Sequence, residues 1–460
     1  MNKQEVYQIV EALHPLVTEI SQNLWKSPEV SGDEKKSADY LRRILSGEGF
    51  NVINEPQLPN AFYAEYGRGE PVIAVLGEYD ALPGLSQQVC AKPLPVEKDA
   101  PGHGCGHNLM AAGSTVGAIA IKRFLEKTGM PGAVRLYGCP EEELCCGKVK
   151  MAYYHMFDGC DIAISWHPMS VNMVYDGGYL ASGSAKFFFH GKTAHAAVAP
   201  EAGRSALDAA ELMNVGANYL REHISINSRI HYTTNSGGFP PNIIPDHANT
   251  WYFARAPHIS EVRDLFRRLD MIAKGAAMMT ETKSDAQIDF ACCEMRENHQ
   301  YGDLTQRNLV EAGKIAYTED EMSFATALQE TIDPLVLKRQ KIEFSCSDPL
   351  FIGFASRELW RQNPLTASSD SGDVSQIVPM NLFTTVCWPV GCSAHTWQAS
   401  ASAGSSIGEK GALLAAKVIA GVGYDLLTEP GILKNISDEF ELTGGAKSYH
   451  PMYGESVSVE

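Results

Sequence analysis

Gly102-His103-Gly104-Cys105-Gly106-His107-Asn108 runs straight into the mostly apolar stretch Leu109 to Leu125. A glycine-rich loop that opens a buried helix is the feature around which the chain organises. On either side lie Val72 to Leu76 and Ala133 to Tyr137, short apolar runs of strand character. Ala61 to Tyr66 and Ile162 to Trp166 are further strand-like runs, while Val6 to Trp25 and Lys35 to Leu45 have helical spacing of apolar residues. Buried strands alternating with helices predict an α/β sheet covered on both faces, where reactive groups collect at strand ends.

The pattern changes near Ser184. Strand Ala185 to His190, helix Ser205 to Glu222, strands Arg229 to Thr234 and Thr250 to Ala254, helix Glu261 to Met278 and strand Ala286 to Phe290 follow in order. This β-α-β-β-α-β succession is the ferredoxin-like split motif. It predicts an inserted domain over 184–294 within a first domain formed by 1–183 and 295–460. Helical segments Leu304 to Ile315 and Phe324 to Leu337, a strand Leu382 to Trp388 and a helix Ser406 to Ile419 then return the chain to the first sheet. No internal repeat or low-complexity tract is visible.

A length of 460 residues with 44% hydrophobic and 20% charged side chains suits two unequal globular domains. The net charge of -17 repels phosphate backbones and anionic lipid, so neither nucleic acid nor a membrane is expected as a partner. Met1 to Trp25 is interrupted by Lys3, Glu5, Glu11 and Glu19, unlike a secretory signal, and the apolar run Gly411 to Val422 is short and contains Lys417. The 11 cysteines are odd in number and include the neighbours Cys145-Cys146 and Cys292-Cys293, a poor framework for disulfides. A cytoplasmic protein is expected.

Chemistry-bearing side chains recur in five loops at strand or helix ends. Cys105 and His107 can offer thiolate and imidazole to one ion. Tyr137-Gly138-Cys139-Pro140-Glu141-Glu142-Glu143 places three acids after a strand, where they repel one another unless a cation compensates. His167 in Trp166-His167-Pro168 and His395 in Ser393-Ala394-His395-Thr396-Trp397 follow apolar strands, and Glu78 and Asp80 end another. Taken singly, each has an ordinary structural explanation: a turn glycine, an acidic helix start, a core histidine, a turn aspartate. Five together point to a metal centre. Cys105 as a nucleophile activated by His107 is a rival, but it leaves Glu143, His167 and His395 without a role.

Gly77-Glu78-Tyr79-Asp80-Ala81-Leu82, Gly84-Leu85-Ser86-Gln87-Gln88, His103 to Asn108, Gly203-Arg204-Ser205-Ala206-Leu207-Asp208-Ala209, Thr234-Asn235-Ser236-Gly237-Gly238 and His395-Thr396-Trp397-Gln398 together resemble one family. It is the aminoacylase and carboxypeptidase-G type of dinuclear metallohydrolases, in the amidohydrolase branch that carries Cys-Gly-His in place of a metal-binding aspartate. The resemblance covers nearly the whole chain. It implies a mixed-sheet, zinc-peptidase-like catalytic domain with the insert as a ferredoxin-like lid and dimerisation domain. It also implies that Cys105, His107, Glu143, His167 and His395 hold two divalent ions, Zn or Mn, with Glu142 as general base.

Relatives have a small residue before the paired glutamates and glycines after them, whereas here Glu141 precedes and Leu144-Cys145-Cys146 follow. Counting from Pro140 gives Glu142 as base and Glu143 as ligand; a shift to Glu141 and Glu142 stays open. Asp80 is expected to orient the ligand shell. The resemblance further implies that His195, in Gly191-Lys192-Thr193-Ala194-His195, stabilises an oxyanion, often across a dimer interface, and that Asn242 and Arg255 recognise a substrate carboxylate. Arg204 is a competing carboxylate receiver. The implied substrate is a small N-acyl amino acid, first p-aminobenzoyl-glutamate, with β-alanyl or indole-acetyl conjugates as alternatives. A homodimer is expected; the alternatives are an unlike companion chain, or a non-catalytic binding role in a two-chain hydrolase.

Overall fold

Apolar runs pair into two separate sheets in the computed structural model, which describes residues 1–175, 178–359, 367–445 and 449–454. The first sheet has the strand order β1-β2-β4-β3-β5-β11-β6, built from Asn51–Glu55 (β1), Leu58–Arg68 (β2), Val72–Glu78 (β3), Gly132–Cys139 (β4), Ile162–Met169 (β5), Met173–Tyr175 (β6) and Met380–Val386 (β11). β4, β3, β5 and β11 are mutually parallel, and the strands outside them are antiparallel. The sheet is therefore mixed.

Helices Lys3–Ala12 (α1), His14–Lys26 (α2), Lys35–Gly47 (α3) and His107–Thr128 (α4) belong to the same unit. α4 docks on β3 through the Ser114 hydroxyl, which donates to the Leu76 carbonyl at 2.6 Å. Ser406–Thr428 packs against α4 so tightly that a Cβ at Gly117 would lie 2.7 Å from Ile419. That helix has the length and composition to cross a bilayer, longer than Gly411 to Val422 suggests, yet 83% of its most apolar window is buried in the core.

Two expected helices are each split in the structure, and proline explains both. The Val6 to Trp25 segment breaks at Leu13, because Pro15 has no N–H for the Glu11 carbonyl. Phe324 to Leu337 divides into Glu319–Gln329 and Pro334–Glu343, the second capped by Asp333, whose carboxylate accepts from the Leu335 and Val336 amides. The late strand ends at Val386, short of Trp388.

The second unit is a sheet of order β12-β10-β7-β9-β8, from Ala181–His190 (β7), Arg229–Ser236 (β8), His247–Ala256 (β9), Lys283–Cys292 (β10) and Met452–Tyr453 (β12). Helices Ala206–Leu220 (α5) and Ile259–Met279 (α6) complete the ferredoxin-like order. On β9 alternate residues Ala248, Tyr252, Ala254 and Ala256 enter a core with Phe187, Phe189, Met213, Phe266 and Leu269. From the later part of the chain, 296–359 and 374–445 group with the first unit. Residues 367–373 and 450–454 group with the second unit, where β12 extends the sheet beside β10 and Asp373 accepts from the Cys293 amide at 2.8 Å.

Candidate metal centre

The four parallel strands end at one edge of the first sheet. Glu78 on β3 lies opposite Cys139 on β4, and His167 on β5 opposite Thr384 on β11. The residues that follow therefore emerge together, as expected where parallel strands share their carboxyl ends. β3 brings Glu78 and Asp80, β4 brings residues 141–143, β5 brings His167 and β11 leads on to His395. α4 starts at His107 behind Gly106, which takes the left-handed conformation (φ 76°). The His395 amide donates to the Gly104 carbonyl at 2.9 Å, tying the late loop to the one that carries Cys105. His395 itself has φ 64°, an uncommon backbone for a non-glycine residue.

Three overlapping sets of potential ligand atoms result, each mutually within 4.8 Å: Cys105, His107 and His167; Cys105, Glu143 and His395; Glu78, His107 and Glu142. Cys105 Sγ is 3.4 Å from His167 Nε2, and His395 Nε2 is 3.2 Å from Glu143 Oε2. Shared members make this one centre with room for two cations. The donor set fits such ions: His107 Nε2 and Glu143 Oε1 are buried with no hydrogen-bond partner, a condition native interiors avoid. Thiolate, imidazole and carboxylate together suit a borderline divalent metal.

Asp80 organises the shell. Its Oδ1 lies 2.9 Å from His107 Nδ1, and its Oδ2 accepts from the Glu143 amide (2.9 Å) and the Ser31 hydroxyl (2.8 Å). Burial pushes this carboxyl up, but the His107 imidazole, the Glu143 amide and Ser31 outweigh it and hold it below the usual carboxylate range. Asp80 holds the Nδ1 side of His107 and turns Nε2 toward the centre. Burial and the Glu143 carboxylate push the Cys105 thiol well up, so the sulfur keeps its proton until a cation reverses the balance. That also weighs against Cys105 as a free nucleophile. Burial, followed by the neighbouring His107, lowers His167 to about 4, leaving a neutral imidazole able to ligate.

The three successive glutamates separate. Glu141 Oε2 faces Lys150 and accepts from Cys146 Sγ at 3.1 Å, away from the ligand sets. Glu142 and Glu143 begin the short 3₁₀ turn that ends at Leu144, bracketed by Glu141 (φ 56°) and Cys145 (φ 53°). Cys145 takes a positive φ that glycine adopts more readily, which accords with the glycines that the resemblance implies after the paired glutamates. His103, from the same loop as Cys105, points its Nε2 at the Leu24 carbonyl (3.2 Å) and belongs to none of the three sets.

Glu78 carries no assigned role in the sequence reading. Two acids two residues apart at a strand end face the same side, a signal that could have paired Glu78 with Asp80.

His195, Asn242 and Arg255 lie in the second unit. His195 and Asn242 are neighbours: the Ala196 amide donates to the Asn242 carbonyl at 3.0 Å, and His195 bridges to Ile243. The Ala197 amide donates to His195 Nδ1 at 3.3 Å, which leaves the ring proton on the exposed Nε2. Arg255 is placed apart. It pairs with Ser182 at one end of β7, whereas the His195 loop follows His190 at the other. From 190 minus 182, eight strand steps of ~3.3 Å put roughly 26 Å between those ends. One chain's lid therefore does not bring Asn242 and Arg255 together. Arg204 is occupied by Glu281, donating at 3.0 and 2.8 Å, and it lines a cavity of about 610 Å³ with Ala196, Phe239 and Ile243.

Comparison with known proteins agrees with this architecture. Residues 181–278 match the peptidase dimerisation domain of the M20 group. The chain is 38% identical to one of the subunits of p-aminobenzoyl-glutamate hydrolase from Escherichia coli K12, over 97% of each chain. An aminobenzoyl-glutamate utilization protein from Klebsiella pneumoniae shares the fold with a TM-score of 0.60 at 16% identity, over 93% of this chain and 99% of that one. A dinuclear metal-binding peptidase of the M20 family from Bacillus subtilis gives 0.58 at 17% identity, over 91% and 99%.

Proposed function

From a chain that belongs to the M20 family of metal-dependent peptidases and amidohydrolases, we propose hydrolysis of p-aminobenzoyl-glutamate to p-aminobenzoate and glutamate. The protein is a metallo-amidohydrolase. The convergence of Cys105, His107, Glu143, His167 and His395 at one sheet edge carries the chemistry. The end-to-end identity with the Escherichia coli p-aminobenzoyl-glutamate hydrolase chain supports the substrate.

In this reading the five residues hold two divalent ions, with zinc favoured by the Cys105 thiolate and manganese the alternative. Bound there, such ions polarise an amide carbonyl and bring the pKa of water toward about 7. Glu142, 3.9 Å from His107 Nε2 and partly open to solvent, takes the proton of the attacking water and returns it to the leaving amine. Asp80 holds His107 in register. His195, with its proton on Nε2, donates to the developing oxyanion, Asn242 beside it steadies the substrate, and Arg255 pairs with the substrate carboxylate through its guanidinium fork.

The distance between the His195 loop and Arg255 within one lid supports a homodimer in which the partner's lid completes each site. β8 is an edge strand with most of its residues exposed, and the outer face of α5 exposes Leu212, Val215 and Tyr219 at i, i+3 and i+7. Both features suit pairing with a second copy. A reducing cytoplasm suits the Cys105 thiol. The Escherichia coli relative is itself named as one chain of a multi-chain hydrolase, which favours one further reading, catalysis alongside an unlike companion chain. The test is release of p-aminobenzoate by the purified chain reconstituted with zinc or manganese, beside a panel of other N-acyl amino acids. Activity without a companion supports the homodimer. No amine release from any acyl amino acid in the panel would sink the reading.

A further inference from the structure

One acid of the centre is used by none of the roles above. Glu78, the last residue of β3, is 2% exposed. Its Oε2 lies 3.4 Å from His107 Nε2, while its Oε1 is 2.6 Å from Nζ of Lys148, a lysine with no exposed surface. His107 Nε2 is buried without a hydrogen-bond partner and faces the Glu78 carboxylate. A carboxylate oxygen and an imidazole nitrogen buried this close call for a positive charge between them, a proton or a metal ion.

The spacing says what that is. Two ligand atoms each ~2.1 Å from a tetrahedral ion lie roughly 3.4 Å apart. Glu78 Oε2 and His107 Nε2 match that edge. Glu142 Oε2 and Glu143 Oε1, at 3.9 and 4.0 Å from the same nitrogen, exceed it. His395 Nε2 and Glu143 Oε2, at 3.2 Å, are close to such an edge on the other side of the centre.

Resting on the metal reading above, we infer that Glu78 is a sixth protein ligand, sharing an ion with His107, and that Lys148 is its positioning residue. Lys148 engages one carboxylate oxygen and leaves the other for the ion, which makes Glu78 monodentate. It also offsets part of the negative charge gathered by Glu78, Glu142, Glu143 and Cys105. A buried lysine is costly without such a partner, and this one stands on the short helix Gly147–Tyr153, immediately after the glutamate loop. The same helix that follows Glu143 in sequence thus anchors the carboxylate at the end of β3.

The test uses full-length protein loaded with zinc or cobalt(II). Metal per chain is measured by elemental analysis after dialysis against graded chelator, and cobalt samples are read by their visible absorption. Wild type should retain two ions. Glu78→Gln should lose one, or release it at ~10- to 100-fold lower chelator, with a changed cobalt spectrum. Lys148→Met should shift the same ion in the same direction, and Lys148→Arg should restore part of the loss. If Glu78→Gln does not fold, the double variant Glu78→Gln/Lys148→Met removes both charges together and should still lose one ion. Two ions per chain with an unchanged chelator midpoint and spectrum, in either folded Glu78 variant, overturns the ligand role. The same result in Lys148→Met overturns the positioning role. A wild-type chain that takes up no metal overturns the parent reading as well.

Discussion

Replacing Asp80 by Asn should cost the centre much of its metal affinity while the fold survives. Asp80 Oδ2 faces two donors, the Glu143 amide at 2.9 Å and the Ser31 hydroxyl at 2.8 Å, and Oδ1 faces His107 Nδ1 at 2.9 Å. The asparagine NH₂ must occupy one of these positions. Turned toward Oδ2, it opposes the Glu143 N–H, because only the Ser31 hydroxyl can rotate to accept. Turned toward His107, it forces the ring proton onto Nε2, the nitrogen meant for the metal. Either orientation forfeits at least one charge-assisted hydrogen bond, worth ~1.5 to 3 kcal/mol. At ~1.4 kcal/mol per tenfold, that is about 10- to 100-fold in affinity for one ion. The assay is chelator competition with zinc and manganese, together with kcat/KM for amine release at limiting and saturating metal. Both quantities should fall, and the thermal midpoint of the metal-free protein should change little by comparison. Metal affinity and kcat/KM within about twofold of wild type in folded Asp80→Asn would refute the role.

Glu142→Gln should keep both ions and lower kcat by ~100-fold or more, whereas Glu143→Gln should lower metal content and Glu141→Gln should leave turnover near wild type; elemental analysis beside steady-state rates separates the three. Burial pushes Glu34 from the ordinary 4.5 to about 7. The folded state then holds a proton that the unfolded state has lost, so this contribution to stability is full below 4.5 and is lost as pH rises to about 7. The loss is on the order of 3 kcal/mol, and denaturant titrations of metal-free protein at about pH 5 and 8 should show a smaller drop in Glu34→Gln. Mixing His195→Ala with Glu142→Gln chains should recover about a quarter of wild-type activity, since half of randomly reassorted dimers hold one intact site. No recovery after verified exchange of chains would exclude the cross-dimer role of His195.

Much of the fold was legible because its strands are buried on both faces. Val72 to Leu76 is a continuous apolar run and Ile162 to Trp166 is broken only by Ser165, and such runs mark central parallel strands. The short strands β1, β6 and β12 lacked that mark: β1 lies at a half-exposed sheet edge, and β6 and β12 have three and two residues. Pro15 and Pro334 mark the helix breaks, but apolar spacing continues across both and masks the missing N–H. β12 had no local signal, since two residues become a strand only through their partner β10.

The site divides along the same line. Cys105, His107, His167 and His395 were found because a parallel sheet sends every strand-end loop to one edge, whatever the sequence distance between them. Which atom faces which partner needs backbone angles that spacing does not carry. The glutamate run shows this most plainly. Three identical side chains in succession differ only in the conformation beneath them, and the left-handed turns at Glu141 and Cys145 rotate the first carboxylate to Lys150 while leaving the next two over the metal ligands. Glu78 escaped for the opposite reason. Its partner Lys148 lies 70 residues later, from 148 minus 78, and a buried lysine in sequence looks like any surface lysine until the helix that carries it is placed beneath the sheet end.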